Sequence, residues 1–318
     1  MRAAVLVCLS VALAGAGEAV DAQALPSYDD SVARALHLAA TDARSQVDER
    51  LLRYTAVISQ RMGVSLRMPL KDRSLYRSEA AHRLFWRRDS DDFVQVLASR
   101  EQTPAGVNAE GVDLGRFGVS FDPMKDRLFF GMGDDGESLG EPEEDDFWFE
   151  HPLRSEWAGG YRFSSGDTIA VRLPDGRSVL AVELEVLPKV ADVHRMAGTL
   201  WIEPESGSLV RAVYRLSEQF DALRDIDDLA EEEDDDLRFL PGMLKPITAD
   251  LRLIAVDYGL WEFEVWLPRT MRIDLVASAG IMKLPITLDF AYEMESVTLA
   301  SDLEVREPAS NLPEVRFR

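Results

Sequence analysis

"AGTLWIEPESGSLVRAVYRLSE", Ala197 to Glu218, carries two alternating arms on either side of a Pro-Glu-Ser-Gly break. Side chains alternate across a strand with period two, so Leu200 and Ile202 on the first arm face one way and Thr199, Trp201 and Glu203 the other. On the second arm Val210, Ala212, Tyr214 and Leu216 oppose Leu209, Arg211, Val213 and Arg215. Pro204 to Gly207 supplies the turn chemistry. The segment reads as a β-hairpin with one strongly apolar face. Trp201, Leu209 and Val213 add bulk to its other face, which predicts partial cover there too, by a second layer of the fold or by a ligand.

The strand pattern extends both ways from this hairpin. Upstream, Val32, Ala35, Leu36, Ala39, Ala43, Val47 and Leu51 recur at spacings of three and four, which predicts a helix over Ser31 to Leu52 capped by Asp29 or Asp30. No other helix signal in the chain is as strong. Strands are predicted over Tyr54 to Leu66, Leu75 to Trp86 and Phe93 to Arg100. Glu101 to Gly159 reads as irregular, with apolar patches at Phe117 to Phe121 and Leu128 to Phe130. Thr168 to Leu173 and Ser178 to Leu187 flank Asp175-Gly176, a strong hairpin signal. Downstream, Ala249 to Ala255 alternates, Tyr258-Gly259 reads as a turn, and Trp261 to Leu267 alternates again. Pro268 marks an edge or a bulge, and Arg269 to Ser278 and Ile286 to Leu299 make the last two strands. A helix followed by roughly nine or ten antiparallel strands predicts a mainly β (α+β) fold, a curved antiparallel sheet forming an unclosed β-barrel with the N-terminal helix against its concave face.

The N-terminus carries a different signal. Arg2, the apolar run from Ala3 to Gly17 and Ala22-Gln23-Ala24 form the pattern of a secretory signal peptide over residues 1–24. Leu25 is then the first mature residue. The half-barrel domain is expected over 25–300, and 301–318 reads as a C-terminal tail or the start of a segment missing here. Cys8, the one cysteine, lies inside the signal region, so the mature chain is expected to form no disulfide and no cysteine-ligated metal site. The formal charge of -22 is concentrated in two runs free of basic residues, near 134–146 and 225–236. Without their seventeen acidic residues it falls to -5. Such runs stay solvated and read as acidic loops. Neither has the Asp-x-Asp-x-Asp-Gly spacing of a calcium loop. With no basic stripe to neutralise phosphates, nucleic acid is disfavoured as a partner.

Catalytic constellations do not emerge. His37, His82, His151 and His194 are scattered without metal-ligand spacing, and His37 on the helix reads as a packed or surface residue. Ser164-Ser165-Gly166-Asp167 reads as a turn ahead of a strand, since no nucleophile-elbow pattern occurs. No pair of carboxylates stands out for glycoside chemistry. No cofactor and no metal is expected. The aromatic residues say more, because Trp86, Trp201, Trp261 and Trp266 with Phe85, Tyr214, Phe263 and Phe290 all fall on predicted strands. On a curved sheet they fill the core under the helix or line an apolar cavity.

The first helix running into "LLRYTAVISQRM", the strand pair "LFWRRDSDDFVQVLASRE", the quoted hairpin and "YGLWEFEVWLPRTMRIDL" together resemble the periplasmic lipoprotein-carrier superfamily, whose members are LolA-, LolB- and LppX-like. The Gly-x-Leu-x-Ile-x-Pro-x-Ser-Gly hairpin and Trp266-Leu267-Pro268 match best, and the resemblance spans Ser31 to Leu299. A nearer likeness is to the periplasmic domain of uncharacterised bacterial outer-membrane proteins, carried by Tyr161, Phe163, Gly166, Asp167 and Thr168. This chain departs from that pattern by showing no transmembrane barrel strands before Arg318. The resemblance implies an unclosed barrel with a helix in its mouth. The expected function is that of an exported, non-catalytic protein of the periplasm or the periplasmic face of the outer membrane. It would bind lipid or a lipidated partner, with Trp201, Tyr214, Trp261 and Phe263 on the concave side. The alternatives are a structural or protein-interaction module of an outer-membrane system without a ligand, and an unrecognised hydrolase. Lipid, lipoprotein or outer-membrane protein are the expected partners; the sequence sets no oligomeric state.

Overall fold

Asp30 begins the helix. Its backbone is extended (φ -150°, ψ 168°) and its carboxylate accepts the Ala33 N–H at 2.7 Å, satisfying one of the free donors of the first turn. The same carboxylate accepts the Ser165 N–H at 3.0 Å, and these bonds hold the acid below its ordinary pKa. The cap thus docks the helix onto a strand as it starts it. The computed structural model describes residues 25–69, 71–88, 93–103, 117–122, 127–132, 149–172, 176–221, 224, 242, 245–262 and 264–301. The acidic runs, the expected signal segment (1–24) and the tail 302–318 lie outside them, as does Phe263.

After β1 (Ser27–Tyr28), α1 spans Ser31–Arg50 and passes directly into β2 (Leu51–Met68). β3 (Lys71–Arg87) and β4 (Phe93–Gln102) follow, then β5 (Phe117–Asp122) and β6 (Arg127–Met132). The remaining strands are β7 (Tyr161–Arg172), β8 (Ser178–Pro188), β9 (Met196–Ile202), β10 (Leu209–Leu216), β11 (Phe220–Asp221), β12 (Ile247–Trp261), β13 (Val265–Ala279) and β14 (Met282–Leu299). One twelve-stranded sheet runs β1-β7-β8-β9-β10-β12-β13-β14-β2-β3-β4, with β11 beside β12. It is an unclosed, curved sheet, antiparallel except where β1 pairs in parallel with β7.

Leu200, Ile254, Ile273 and Leu288, on β9, β12, β13 and β14, are all fully buried on one side of the sheet. A helix about 10–12 Å across covers roughly two strands at their usual spacing of about 4.8 Å. Burial across so many strands under one helix therefore requires the sheet to curl over its own inner face. That side holds the main core, shared with Ala33, Leu36 and Ala40 of α1. A second cluster, with Leu51, Tyr54, Ala56, Leu84, Trp86, Val265 and Leu267, fills the end near β2 and β3.

Several sequence expectations are corrected. The sheet has twelve strands, not nine or ten, because short pairings such as β1 and β11 carry no periodic signal. Tyr258-Gly259 is not a turn but part of β12, opposite Pro268 and Leu267, where the register shifts. The chain instead turns after Trp261, with Glu262 at φ 46° and Trp261 paired with Val265. Alternation continues unbroken through so tight a turn, so period two could not separate one long strand from a hairpin. Pro268 does sit beside a bulge, as expected. Ser164 to Asp167 lies inside β7, with a bulge at Gly166-Asp167, and is not a turn before it. The stretch read as irregular contains the β5–β6 hairpin and ends in a strap over 149–160 that is buried at 149–153 and 158–159.

Candidate binding site

The quoted hairpin behaves as its alternation dictates. Leu200, Ile202, Val210, Ala212 and Tyr214 are buried on the helix side, while Thr199, Trp201 and Val213 are half-buried and Arg211 is exposed on the other. Its turn meets the helix. Gly207 has φ +70°, and a Cβ there would lie 2.4 Å from the Ala39 carbonyl oxygen, so glycine meets both the backbone and the packing requirement. Gly198 has a related role within the sheet, since a Cβ would fall 2.1 Å from the Val213 carbonyl oxygen.

The concave side is covered by α1 and by the strap. The helix buries only Ala33, Leu36, His37 and Ala40, a narrow stripe with two alanines and an imidazole. Beneath it, Phe149, Glu150, His151 and Leu153 of the strap are buried. Arg154 ties strap to helix through a 2.7 Å ion pair with Asp48.

Polar groups line the seam between cover and sheet. His37 Nε2 lies 3.1 Å from the Pro152 carbonyl oxygen, which only accepts, so the ring is protonated there and its Nδ1 accepts from the Tyr28 hydroxyl at 2.9 Å. Burial holds this imidazole below its ordinary pKa. His151 is arranged alike: Nδ1 accepts the Leu153 N–H at 3.2 Å and Nε2 donates to the Tyr214 hydroxyl at 3.0 Å. Tyr161 donates to the Glu150 carbonyl and accepts the Met196 N–H at 3.2 Å. Burial pushes that phenol far above its ordinary pKa. Burial of the Arg195 guanidinium acts against its charge, but Glu150, 2.7 Å away, outweighs it and raises the pKa. Each of these groups is engaged by a neighbour on the cover or the sheet. Among the described residues no group of three or more His, Cys, Asp or Glu side chains could hold a metal ion.

At the second cluster Tyr54 and Trp86 stack with ring centroids 5.2 Å apart. The buried Trp86 Nε1 has no hydrogen-bond acceptor among the described residues, and a ligand oxygen would satisfy it. Trp261 packs at the rim of this cluster.

Of the four residues expected to share the concave side, the three that the structure describes are not brought together. Tyr214 is there, 2% exposed and bonded to His151. Trp201 pairs with Arg211, not with Tyr214's partner Gly198, so it stands on the convex side, where the Arg211 guanidinium lies 5.6 Å from its ring centroid. Trp261 is at the far cluster, and Phe263 lies outside the described residues. The polar seam was not legible in advance. Its one sequence trace is Phe149-Glu150-His151-Pro152-Leu153, which directly follows an acidic run and lacks any strand or helix period.

Comparison with known proteins gives fold-level likenesses. The chain is similar to a domain assigned to outer-membrane lipoprotein sorting from Vibrio parahaemolyticus, at 11% identity and a TM-score of 0.27, covering 89% of this chain and 95% of that one. It is also similar to a LolA superfamily protein from Nitrosomonas europaea, at 10% identity and a TM-score of 0.26, covering 81% and 94%. A third likeness is to the Pseudomonas aeruginosa MucA/MucB complex structure, at 12% identity and a TM-score of 0.23, covering 82% and 94%. No family model matches the chain, and no curated protein matches it. Scores this low carry no function across.

Proposed function

We propose that this chain is an exported, non-catalytic half-barrel of the bacterial envelope that receives an acyl chain or a lipidated partner on its concave face when its cover moves aside. The observation that carries this reading is the weakness of the helical cover. A permanent core helix gains about 1.5–3 kcal/mol from each large apolar side chain it buries, and α1 buries one such residue, Leu36, between two alanines and a hydrogen-bonded histidine. The sheet beneath is lined with Leu, Ile and Tyr. An acyl chain would replace little packing by moving the helix and would meet the apolar rows of the sheet that lie beside the buried strap. The unpaired Trp86 N–H supplies a donor for an ester or amide oxygen at the far end.

A second reading, a ligand-free protein-interaction module, is favoured by Val265 to Pro268. These four successive residues are all buried, so the β12–β13 tip is covered on both faces and occupies concave space itself. Mass spectrometry of organic extracts separates the two. The protein is expressed through a bacterial periplasm, and native and denatured samples are compared. Stoichiometric lipid released on denaturation supports the first reading; a lipid-free protein with a cooperative melt overturns it in favour of the second.

A further inference from the structure

The chain carries -22 overall, yet residues 51–88 hold nine basic and two acidic side chains. The register shows where this excess goes. β2 pairs with β3 through Arg53 opposite Arg87, Val57 opposite Arg83, Arg61 opposite Glu79 and Gly63 opposite Arg77, all on the convex side, away from Tyr54, Ala56 and Met62. β4 adds Arg100 to the same side, opposite Glu79. Six arginines thus share a face of three strands with one glutamate. Arg61 pairs with Glu79 and Arg83 with Glu295. Arg53, Arg77, Arg87 and Arg100 have no ion-pair partner among the described residues, and Arg53 directly faces Arg87, an arrangement that costs stability unless an anion lies over it.

Among the described residues β4 is the last strand at this end of the sheet, and it borders this face. β4 is exposed almost throughout and presents Phe93 (63% exposed), Val96 (62%) and Leu97 (42%). Phe93 belongs to the arginine side, opposite Phe85, while Val96 points to the other side and Leu97 is the extra residue of a bulge. The apolar groups therefore form a projecting rim, not a groove. A rim offers a partner strand no pockets, and the bulge interrupts the straight edge that strand addition needs. Arginines beside a projecting apolar rim fit an interface with anionic headgroups on one side and acyl chains within reach.

We infer that the convex face of β2, β3 and β4 docks the protein on an anionic phospholipid bilayer, with Arg53, Arg77, Arg87 and Arg100 against headgroups and Phe93 and Leu97 inserted at the boundary. This surface is separate from the concave face, so the inference stands whether or not that face holds a lipid. The test is co-sedimentation of the full chain with phosphatidylcholine vesicles, with and without phosphatidylglycerol. The apolar run near the N-terminus would bind both vesicle types alike, so the difference between them reads the arginine face. Partitioning is expected to rise with phosphatidylglycerol and to fall with added salt. At about 1 kcal/mol per cation near the surface, R77Q/R87Q lowers it roughly thirtyfold, and F93S/L97S lowers it without altering the salt dependence. Both pairs are solvent-exposed, and far-UV circular dichroism checks that the variants fold. Equal binding to the two vesicle types, or phosphatidylglycerol-dependent binding that R77Q/R87Q retains, overturns the inference. So does tighter binding of a soluble poly-glutamate peptide than of vesicles, which would make the partner an acidic protein.

Discussion

Gly207→Ala tests the contact that joins the deciding hairpin to the helix. Two costs are expected. An L-residue at φ +70° loses about 1–2 kcal/mol, and forcing a methyl to within 2.4 Å of the Ala39 carbonyl oxygen adds about 1–3 kcal/mol as turn and helix separate. Gly176 supplies the internal control. Its φ is +87°, but nothing lies within 4 Å of a Cβ built there, so Gly176→Ala carries the backbone cost alone. Both changes reduce the freedom of the unfolded chain equally, by about 0.4–1 kcal/mol, and that contribution cancels in the comparison. Gly207→Ala is therefore expected to destabilise by about 1–3 kcal/mol more than Gly176→Ala. For a chain of this size that is a Tm difference of roughly 2–5 °C. Urea unfolding followed by tryptophan fluorescence measures it. Equal losses for the two variants would refute the claim that the turn is seated against α1, and with it the helix-on-hairpin geometry.

Two further outcomes follow from the site. Burial lowers the pKa of His37, so the folded state disfavours the proton that the unfolded chain accepts below about pH 6.5. The stability His37 contributes is present above that pH and lost as pH falls toward the depressed folded value, as the ring charges in a buried site, a cost the bond to the Pro152 carbonyl offsets only in part. His37→Asn should flatten the stability profile between neutral and mildly acidic pH relative to wild type; an unchanged slope would remove His37 as its source. On the quoted hairpin, Leu200→Ala should cost about 2–5 kcal/mol in denaturant unfolding, whereas Trp201→Ala on the convex side should leave any extracted lipid unchanged. Lipid lost from a folded Trp201→Ala protein would contradict the face assignment.

Local pattern carried much of the fold. The existence of α1, Asp30 as its cap and the inward set of the hairpin from Leu200 to Leu216 follow from period and capping chemistry and appear in the structure, but the helix buries Ala33, Leu36, His37 and Ala40, so of the stripe read over its span only Leu36 is buried, while Val32 and Ala35 are exposed. Legibility ended where two arrangements share one local pattern. Trp261 to Leu267 alternates whether the chain runs on or doubles back, and Tyr258-Gly259 resembles a turn although β13 pairs across it. The site was less legible than the fold. Aromatic residues on strands were assigned to one side by type, but facing is set by register with a neighbouring strand, and that put Trp201 with Arg211 and Tyr214 with Gly198.

By itself the sequence determined where the long helix and the strongly alternating strands lie, which face of the central hairpin is apolar and how strongly charge is segregated, because these depend on residues within a few positions of one another. Tertiary structure alone decided that Phe149 to Leu153 folds in under the helix and that His37, His151, Tyr161 and Arg195 meet partners far away in sequence. It also decided that the arginines of β2, β3 and β4 gather on one convex face. Those features arise from strand pairing across the whole sheet, and no local period records which strand will lie beside which.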